Sequence, residues 1–220
     1  MLHLLIRSGL APLAKLAYRP EVEGLENVPE HGPVILAANH RSALDTAVIP
    51  IVARRPVKFL GKAEYFQGTG ARGRLLASFV SALGYVPVER GNAAAGLAAL
   101  GAARRVLDSG GAFGIYPEGT RSLDGRLHRG HTGVGALALA TAAPVVPVAL
   151  SGTQRLLPVG ARLPRPARIA VRFGGPLEFS RYDGLAASPA IRRAVTDEIM
   201  SAILELSGQE YVDSYHPRAA

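Results

Sequence analysis

The fold is decided by the stretch Pro33-Val-Ile-Leu-Ala-Ala-Asn-His-Arg-Ser-Ala-Leu-Asp45. Its apolar run, residues 34–38, has the length and composition of a buried strand, and the apolar segment at residues 43–53 is long enough for a helix. The stretch therefore predicts a strand that leads directly into a helix. If Ser42 caps this helix, Asp45 lies in its first turn, where the helix dipole favours a carboxylate.

His40 lies in the turn just before that helix, so it is placed beside Asp45 at the carboxyl edge of a sheet. Open α/β sheets bind their ligands at this edge, and a histidine next to a carboxylate is a candidate catalytic pair. The spacing of Ser42 and Asp45 is also that of a capping box, which would explain the carboxylate without any chemistry. This stretch alone leaves both interpretations open.

Length and composition predict one large domain with a full core. The chain has 220 residues, of which 48% are hydrophobic. The absence of cysteine excludes disulfides, thiolate zinc sites and a cysteine nucleophile. All but three of the 25 basic residues are arginines, and the net charge of +8 indicates an anionic partner such as nucleic acid, phospholipid or a phosphorylated metabolite.

The whole chain alternates between predicted strands and helices. Strands are predicted at residues 34–38, 57–62, 84–90, 112–116, 145–150 and 168–173, the last of them exposed. Helices are predicted at residues 43–53, 93–107, 130–143 and 189–206, with a mobile glycine-rich loop at 67–74 and an apolar segment at 75–83. The alternation predicts an α/β fold, a single domain with a mixed, largely parallel sheet flanked by helices.

Residues 130–154 contain no Asp, Glu, Lys or Arg, so they are a candidate membrane span. Pro144 and Pro147 interrupt the second half of this segment. A helix followed by a buried strand explains the same residues at ordinary element lengths, and we favour that interpretation.

Residues 1–18 combine apolar side chains at helical spacing with cations and no acid, which predicts an amphipathic segment, broken at Pro12, that lies in a membrane interface. A terminal helix packed on its own domain fits this pattern equally well. No acidic residue occurs between Gly125 and Leu177, a span that holds seven arginines and predicts a basic face for anionic lipid headgroups. The predicted domain covers residues 19–208, and residues 209–220 form a C-terminal tail.

Four segments together resemble the blocks shared by the glycerolipid acyltransferases, of which lysophosphatidate acyltransferase is the best-known member. They are Asn39-His-Arg-Ser-Ala-Leu-Asp45, Gly84-Tyr-Val-Pro-Val-Glu-Arg90, Tyr116-Pro-Glu-Gly-Thr-Arg-Ser122 and Val146-Pro-Val-Ala149. The resemblance covers roughly residues 20–180, and the first and third blocks are specific in combination. Tyr116 stands where the family usually has phenylalanine.

The resemblance implies the acyltransferase fold, with His40 and Asp45 as the catalytic residues of the family's HX4D motif. An alcohol attacks a thioester poorly, so a neutral His40 imidazole would take its proton as attack occurs. Asp45 would hold the ring and stabilise the imidazolium that forms. Ser42 is an alternative nucleophile, although neither a nucleophile elbow nor a second base is visible.

Substrate binding is expected at the third block. Arg121 would hold the phosphate of the acceptor by bidentate hydrogen bonds, which its planar guanidinium makes better than lysine does. In the family picture Glu118 belongs to acceptor binding, together with Gly119 and Thr120. A structural role for Glu118, bracing Arg121 or capping the two residues that follow it, fits the sequence equally well.

Two further cations, Lys62 and Arg90, would add point charges near the phosphate, or would lie at the rim as ordinary exposed charges. No metal and no other cofactor is implied, because the sequence shows no further ligands at metal spacing beside His40 and Asp45.

These residues predict transfer of a fatty acyl group from acyl-CoA or acyl-carrier protein to the hydroxyl of a lysophospholipid, foremost 1-acyl-glycerol-3-phosphate, giving phosphatidic acid. The expected place is the cytoplasmic face of the cell membrane, with the protein held peripherally on an anionic surface. The alternatives are another lysolipid or a glycolipid as acceptor, an acyl-CoA thioesterase, and a non-catalytic protein that binds anionic lipid. Nucleic acid is not an expected partner, because only 6% of the residues are aromatic and no reader motif occurs.

Overall fold

The structure, a computed structural model, describes residues 18–82, 84–88, 93–161 and 163–216. Strands in these ranges are β1 (Glu21–Glu23), β2 (Val34–Ala38), β3 (Val57–Lys58), β4 (Leu60–Lys62), β5 (Val86–Val88), β6 (Ala112–Ile115), β7 (Leu127–His128), β8 (Val145–Ser151), β9 (Ala170–Phe173) and β10 (Tyr211–Val212). The α-helices are α1 (Asp45–Val52), α2 (Gly70–Ala82), α3 (Ala93–Asp108), α4 (Gly133–Thr141), α5 (Thr153–Leu156) and α6 (Pro189–Ser207).

The main sheet is mixed and largely parallel, as the alternation of elements predicts. Its strand order is β1-β9-β8-β2-β6-β3, and β2 pairs in parallel with both of its neighbours. The pairing of β8 with β9 is antiparallel. Because β2 and β8 are parallel, the segments that follow Ala38 and Ser151 leave the sheet at the same edge, which also carries His40.

The central strand β2 is buried on both faces. Leu36 and its neighbours on one face pack with Val48 and Ile49 of α1, whereas Ile35 and Ala37 pack into a second core built by α3, α4 and α6. All five residues of β2 have no exposed surface. A continuous apolar run is typical of a parallel strand covered by helices on both sides, so the opening stretch is buried as its composition predicts.

The strand predicted at residues 57–62 is two strands in different sheets. β3 pairs with β6 at the edge of the main sheet, whereas β4 pairs with β5 in a separate two-stranded sheet. Phe59, between them, is 1% exposed. The Phe59 ring lies against Gly114, where a Cβ atom would be only 2.1 Å from the ring, so this packing requires glycine at position 114.

The predicted mobile loop at residues 67–74 is wrong in its second half, because α2 begins at Gly70. Gly70 has a φ of +73°, which glycine adopts without strain and which turns the chain into the helix. A Cβ atom on Gly68 would lie 2.7 Å from the Cα atom of Gly73. The glycines therefore allow the loop to pack against the first turn of α2, a role that composition alone does not reveal.

Two further corrections concern the second half of the chain. The strand predicted as exposed is β9, in which Val171 and Phe173 are buried because β1 and β8 flank it in the sheet. Residues 209–216, assigned to a tail, are bound to the domain: β10 pairs with β7 through Tyr211 and Leu127.

The apolar segment at residues 130–154 folds as α4 followed by β8, which confirms the helix-plus-strand interpretation. Within the described ranges, no helix has both the length and the apolar character needed to cross a membrane. The amphipathic helix predicted at residues 1–18 lies outside the described residues except for Tyr18, and it stays a prediction.

Candidate active site

The turn between β2 and α1 is closed by the Asp45 carboxylate, which is fully buried. Asp45 Oδ2 accepts the backbone N–H of Arg41 at 2.6 Å and that of Ser42 at 2.7 Å. Ser42 is not the N-cap, a position held by Leu44, and its hydroxyl oxygen instead accepts the Leu44 N–H at 3.3 Å. With a residual exposure of 2%, Ser42 is poorly placed to act as a nucleophile.

The same carboxylate oxygen contacts the predicted base. His40 Nδ1 lies 2.9 Å from Asp45 Oδ2, so the two predicted catalytic residues meet. Because an ionised carboxylate only accepts hydrogen bonds, Nδ1 carries the proton of the neutral ring and Nε2 is the basic nitrogen. Nε2 has no hydrogen-bond partner within the described part of the chain, and the His40 side chain is 15% exposed.

An aromatic stack fixes the plane of the His40 ring. The Tyr116 ring lies parallel to it with a centroid separation of 3.9 Å, and Phe59 stacks on Tyr116 at 5.5 Å. The buried Tyr116 hydroxyl has no partner among the described residues. Burial, with a smaller effect of the Asp45 charge, holds its pKa well above the ordinary value, so the phenol stays neutral.

The buried Glu118 side chain connects two segments of the site by hydrogen bonds. Its side chain is 2% exposed, and its two carboxylate oxygens accept the backbone N–H of His40 at 3.5 Å and that of His128 at 3.0 Å. Burial raises the pKa of this carboxyl group, and the two backbone hydrogen bonds oppose the rise. Glu118 therefore neither braces Arg121 nor caps the next two residues, as the structural alternative supposed, but connects the turn between β2 and α1 to β7.

The third block presents Arg121 to solvent. Gly119 donates its N–H to the Tyr116 carbonyl at 3.0 Å, and its φ of +74° turns the chain outward toward Thr120, which is partly exposed. Arg121 is exposed, with no hydrogen bond or ion pair to any other described residue. Ser122 returns to the site and donates its N–H to the His40 carbonyl at 2.8 Å. The guanidinium of Arg121 is thus available to a ligand at the edge that carries His40.

Of the other two predicted cations, the structure describes only the backbone of Lys62. Lys62 ends β4, where its backbone pairs with Val88 of β5. Arg90 lies outside the described residues. Phosphate binding by either residue stays a prediction.

Two residues that support the backbone at His40 were not predicted from the sequence. Asn39 is fully buried and extends the pairing of β2 with β8, because its side chain accepts the Leu150 N–H at 2.7 Å and donates to the Leu150 carbonyl at 3.1 Å. Its position beside His40 in the first block was the only signal. Gln209, which contacts Asn39 at 2.6 Å, lies 170 residues away in the sequence and carried none.

One group of side chains has the composition of a metal site. Ligand atoms of Asp124, His128 and His216 lie within 4.8 Å of one another. The Arg126 guanidinium, however, already occupies Asp124 Oδ2 at 2.9 Å, and its positive charge disfavours a cation at the same oxygen. Partial burial raises the pKa of Asp124, but hydrogen bonds from Arg126, His128 and Ser122 outweigh it and hold the pKa well below its ordinary value. We therefore assign no metal to this group.

Comparison with known proteins decides the family. The family model described as Acyltransferase matches residues 19–151, more than half of the chain, and this range includes the turn that carries His40 and the third block. The chain belongs to the acyltransferase family.

The chain is similar to two plant acyltransferases at moderate sequence identity. It is 31% identical over 66% of its length to a chloroplastic 1-acyl-sn-glycerol-3-phosphate acyltransferase of Brassica napus, and 30% identical over 76% to one of Arabidopsis thaliana. The matched segments are 40% and 46% of those two proteins, so the chain spans less than half of their length.

A solved structure agrees with the fold. The crystal structure of the 1-acyl-sn-glycerophosphate acyltransferase of Thermotoga maritima superposes with a TM-score of 0.65 and 25% identity, over 89% of this chain and 76% of that chain. The agreement confirms the predicted fold class, a mixed α/β domain of the acyltransferase type.

Proposed function

We propose that this protein transfers a fatty acyl group from an acyl thioester, acyl-CoA or acyl-carrier protein, to the hydroxyl of a lysophospholipid. Lysophosphatidate is the proposed acceptor and phosphatidic acid the product. The observation that carries the proposal is the contact between His40 Nδ1 and Asp45 Oδ2, which leaves Nε2 as the base nitrogen at the sheet edge where Ser122, the residue after Arg121, hydrogen-bonds to His40. The names of the plant and Thermotoga relatives support the choice of acceptor.

The proposed reaction needs no acyl-enzyme. The acceptor hydroxyl attacks the thioester carbonyl carbon while His40 Nε2 takes the hydroxyl proton, so the C–O bond forms as the imidazole becomes imidazolium. The Asp45 carboxylate stabilises that cation through Nδ1. Collapse of the tetrahedral intermediate breaks the C–S bond, and the leaving thiolate takes the proton from Nε2. The ring then returns to its starting state.

Arg121 is the proposed site for the acceptor's phosphate. The exposed guanidinium of Arg121 has no partner among the described residues and so offers its full set of donors to two phosphate oxygens. Glu118 supports this arrangement indirectly, because its buried carboxylate holds the turn in which His40 lies. Acceptor binding would therefore rest on Arg121, on the exposed Gly119 and on the partly exposed Thr120, and the buried Glu118 would support them.

The protein is proposed to work as a peripheral protein on the cytoplasmic face of an anionic membrane. The segment after α5, residues 157–168, leaves the sheet at the same edge as His40. Within it Val159 and Leu163 are 75% and 78% exposed. The exposed arginines 155, 165 and 168 have no side-chain partner within the described ranges. Exposed apolar groups among unpaired cations are suited to a lipid interface, which would bring the catalytic edge to the substrate.

The decisive experiment is acceptor dependence. Purified protein is incubated with mixed acyl-CoAs or acyl-carrier protein, with and without a panel of lysolipids, and products are read by mass spectrometry. We expect thiol release only when a lysophosphatidate is present, together with phosphatidic acid. Thiol release without acceptor would indicate a thioesterase, and no turnover would indicate a binding protein. Acylation of a different lipid in the panel would show that the acceptor is that lipid and not lysophosphatidate.

A further inference from the structure

Residues 209–216 form a segment that we call the C-terminal strap, and it includes β10. The strap runs beside the loop at residues 117–131: Leu127 donates its N–H to the Glu210 carbonyl at 2.9 Å, and Arg129 donates to Ser214 at 3.0 Å. Tyr215 stacks on His131 with a centroid separation of 4.6 Å. The strap lies beyond the segment that the family model matches.

Gln209 at the start of the strap bridges two segments that flank His40. Its Oε1 accepts from Asn39 Nδ2 at 2.6 Å, and its Nε2 donates to the Gly125 carbonyl at 2.7 Å. One side chain thus connects the residue before the predicted base to the loop that carries the third block.

Each end of this bridge is connected to His40, one through the chain and the other through a backbone hydrogen bond. Asn39 is fully buried and fastened to Leu150 of β8, so its side chain determines where the chain leaves the sheet. The second N–H of its amide has Gln209 as its partner. On the other side, Ser122 of the loop donates its N–H to the His40 carbonyl at 2.8 Å. A shift of the loop relative to β2 would therefore move the His40 backbone.

We propose that Gln209 is a positioning residue, which holds the loop in register with β2 and so keeps His40 in its reactive place. This inference rests on the proposed function for its catalytic meaning, whereas the bridge itself is independent of the reaction. Gln209 touches neither His40 nor Asp45 in the structure, so it acts through Asn39 and Gly125 and is not itself a catalytic residue.

The test is Gln209→Met, which keeps the length and bulk of the side chain and removes both hydrogen bonds. We expect kcat to fall about tenfold, since small misplacements of a reacting group cost one to two orders of magnitude, while the KM of donor and acceptor changes less than about twofold. The matched control is Ser214→Ala, because Ser214 is exposed and contributes only backbone atoms to the strap. It should retain the unaltered kcat.

Hydrogen exchange followed by mass spectrometry supplies a second readout without substrate. Gln209→Met should raise exchange in residues 39–45 and 118–126 and leave β6 unchanged. A kcat within twofold of the unaltered protein would overturn the proposal, and so would equal losses in Gln209→Met and Ser214→Ala. If Gln209→Met does not fold, Gln209→Glu, which keeps the acceptor for Asn39, takes its place with the same expectations.

If the unaltered protein transfers no acyl group, the proposed function fails and hydrogen exchange alone decides on the bridge. Unchanged exchange in residues 39–45 would then reject the positioning role.

Discussion

At the scale of single residues, His40 is held by an acid, a ring and a backbone hydrogen bond. Asp45 binds its Nδ1, Tyr116 stacks on its face, and Glu118 accepts its N–H. The Asp45 carboxylate serves the turn and the ring at once, because one oxygen accepts two backbone N–H groups beside the histidine. The capping and catalytic interpretations of this residue are therefore compatible.

Replacing His40 tests the general base. His40→Ala should lower kcat about 10²-fold or more, the usual loss for a general base, while far-UV circular dichroism and the melting temperature stay close to those of the unaltered protein. Asp45→Asn should be severe in rate and mild in acceptor KM. The matched control is His31→Ala, since His31 is exposed and precedes β2, whereas His40 follows the other end of that strand. Near-normal turnover by folded His40→Ala protein would rule out the assignment.

A substitution of Arg121 tests whether its side chain binds the phosphate of the acceptor. Arg121→Lys keeps the charge but loses the bidentate geometry, so the KM for lysophosphatidate should rise several-fold more than the KM for acyl donor. Steady-state kinetics with each substrate varied in turn measures the difference. Arg104→Lys, an exposed change on α3, is the control. Equal effects on both substrates would assign Arg121 a general structural role.

Substitutions of Glu118 distinguish a role in acceptor binding from a role in supporting the fold of the site. Glu118→Ala leaves two backbone N–H groups without their acceptor, so urea unfolding should show a loss of about 2 kcal/mol or more. Because burial raises the folded-state pKa of Glu118 above 4.5, the unaltered protein should lose stability as pH rises from 4.5 through that pKa. Glu118→Gln should lack this dependence. A rise in acceptor KM with unchanged stability would instead support the family's acceptor-binding role.

At the scale of elements, the residues of the candidate site lie together at the carboxyl edge of the sheet. β2 ends at His40, β6 leads into the third block, and β8 leads through α5 into residues 157–168. Parallel pairing makes these ends neighbours although the chain separates them widely. A lipid-facing segment on this edge would place the acceptor's headgroup and the base on the same side of the molecule.

The segment at residues 157–168 can be tested directly. Val159→Asp combined with Leu163→Asp should weaken co-sedimentation with anionic vesicles several-fold, because each apolar side chain contributes about 1 kcal/mol or more when buried in the interface. Leu185→Asp is the control, because Leu185 is also exposed and lies in a turn outside residues 157–168. Equal binding by both variants would remove this segment from the membrane contact.

At the scale of the whole molecule, two separate regions are proposed to act on one membrane. Deleting residues 1–18 should weaken vesicle binding and slow transfer to a vesicle-embedded acceptor, yet spare activity on a short-chain, water-soluble acceptor. Binding should also fall with rising salt on anionic vesicles, because screening shortens the reach of the cations. Unchanged binding by the truncated protein would show that this segment packs on its own domain.

The turn that carries His40 could be predicted because its determinants are adjacent in the chain. The apolar run of β2, the turn residues and the carboxylate of α1 act within 13 consecutive residues, 33–45, and local periodicity and spacing report on them. The alternation of elements also predicted the largely parallel sheet, since parallel strands require crossover connections. The helix at residues 43–53 was correctly expected, although its N-cap is Leu44 rather than Ser42.

Only the tertiary structure decided what surrounds that turn. Glu118 meets His40 across 78 residues and Gln209 meets Asn39 across 170, and such contacts leave no periodic signal in the sequence. The strap was assigned to a tail because two-residue strands such as β10 are too short to show an alternation. By itself, the sequence determined which residues are candidates for the chemistry; long-range packing determined which side chains hold them in place, because hydrogen-bond partners at a sheet edge are set by strand order.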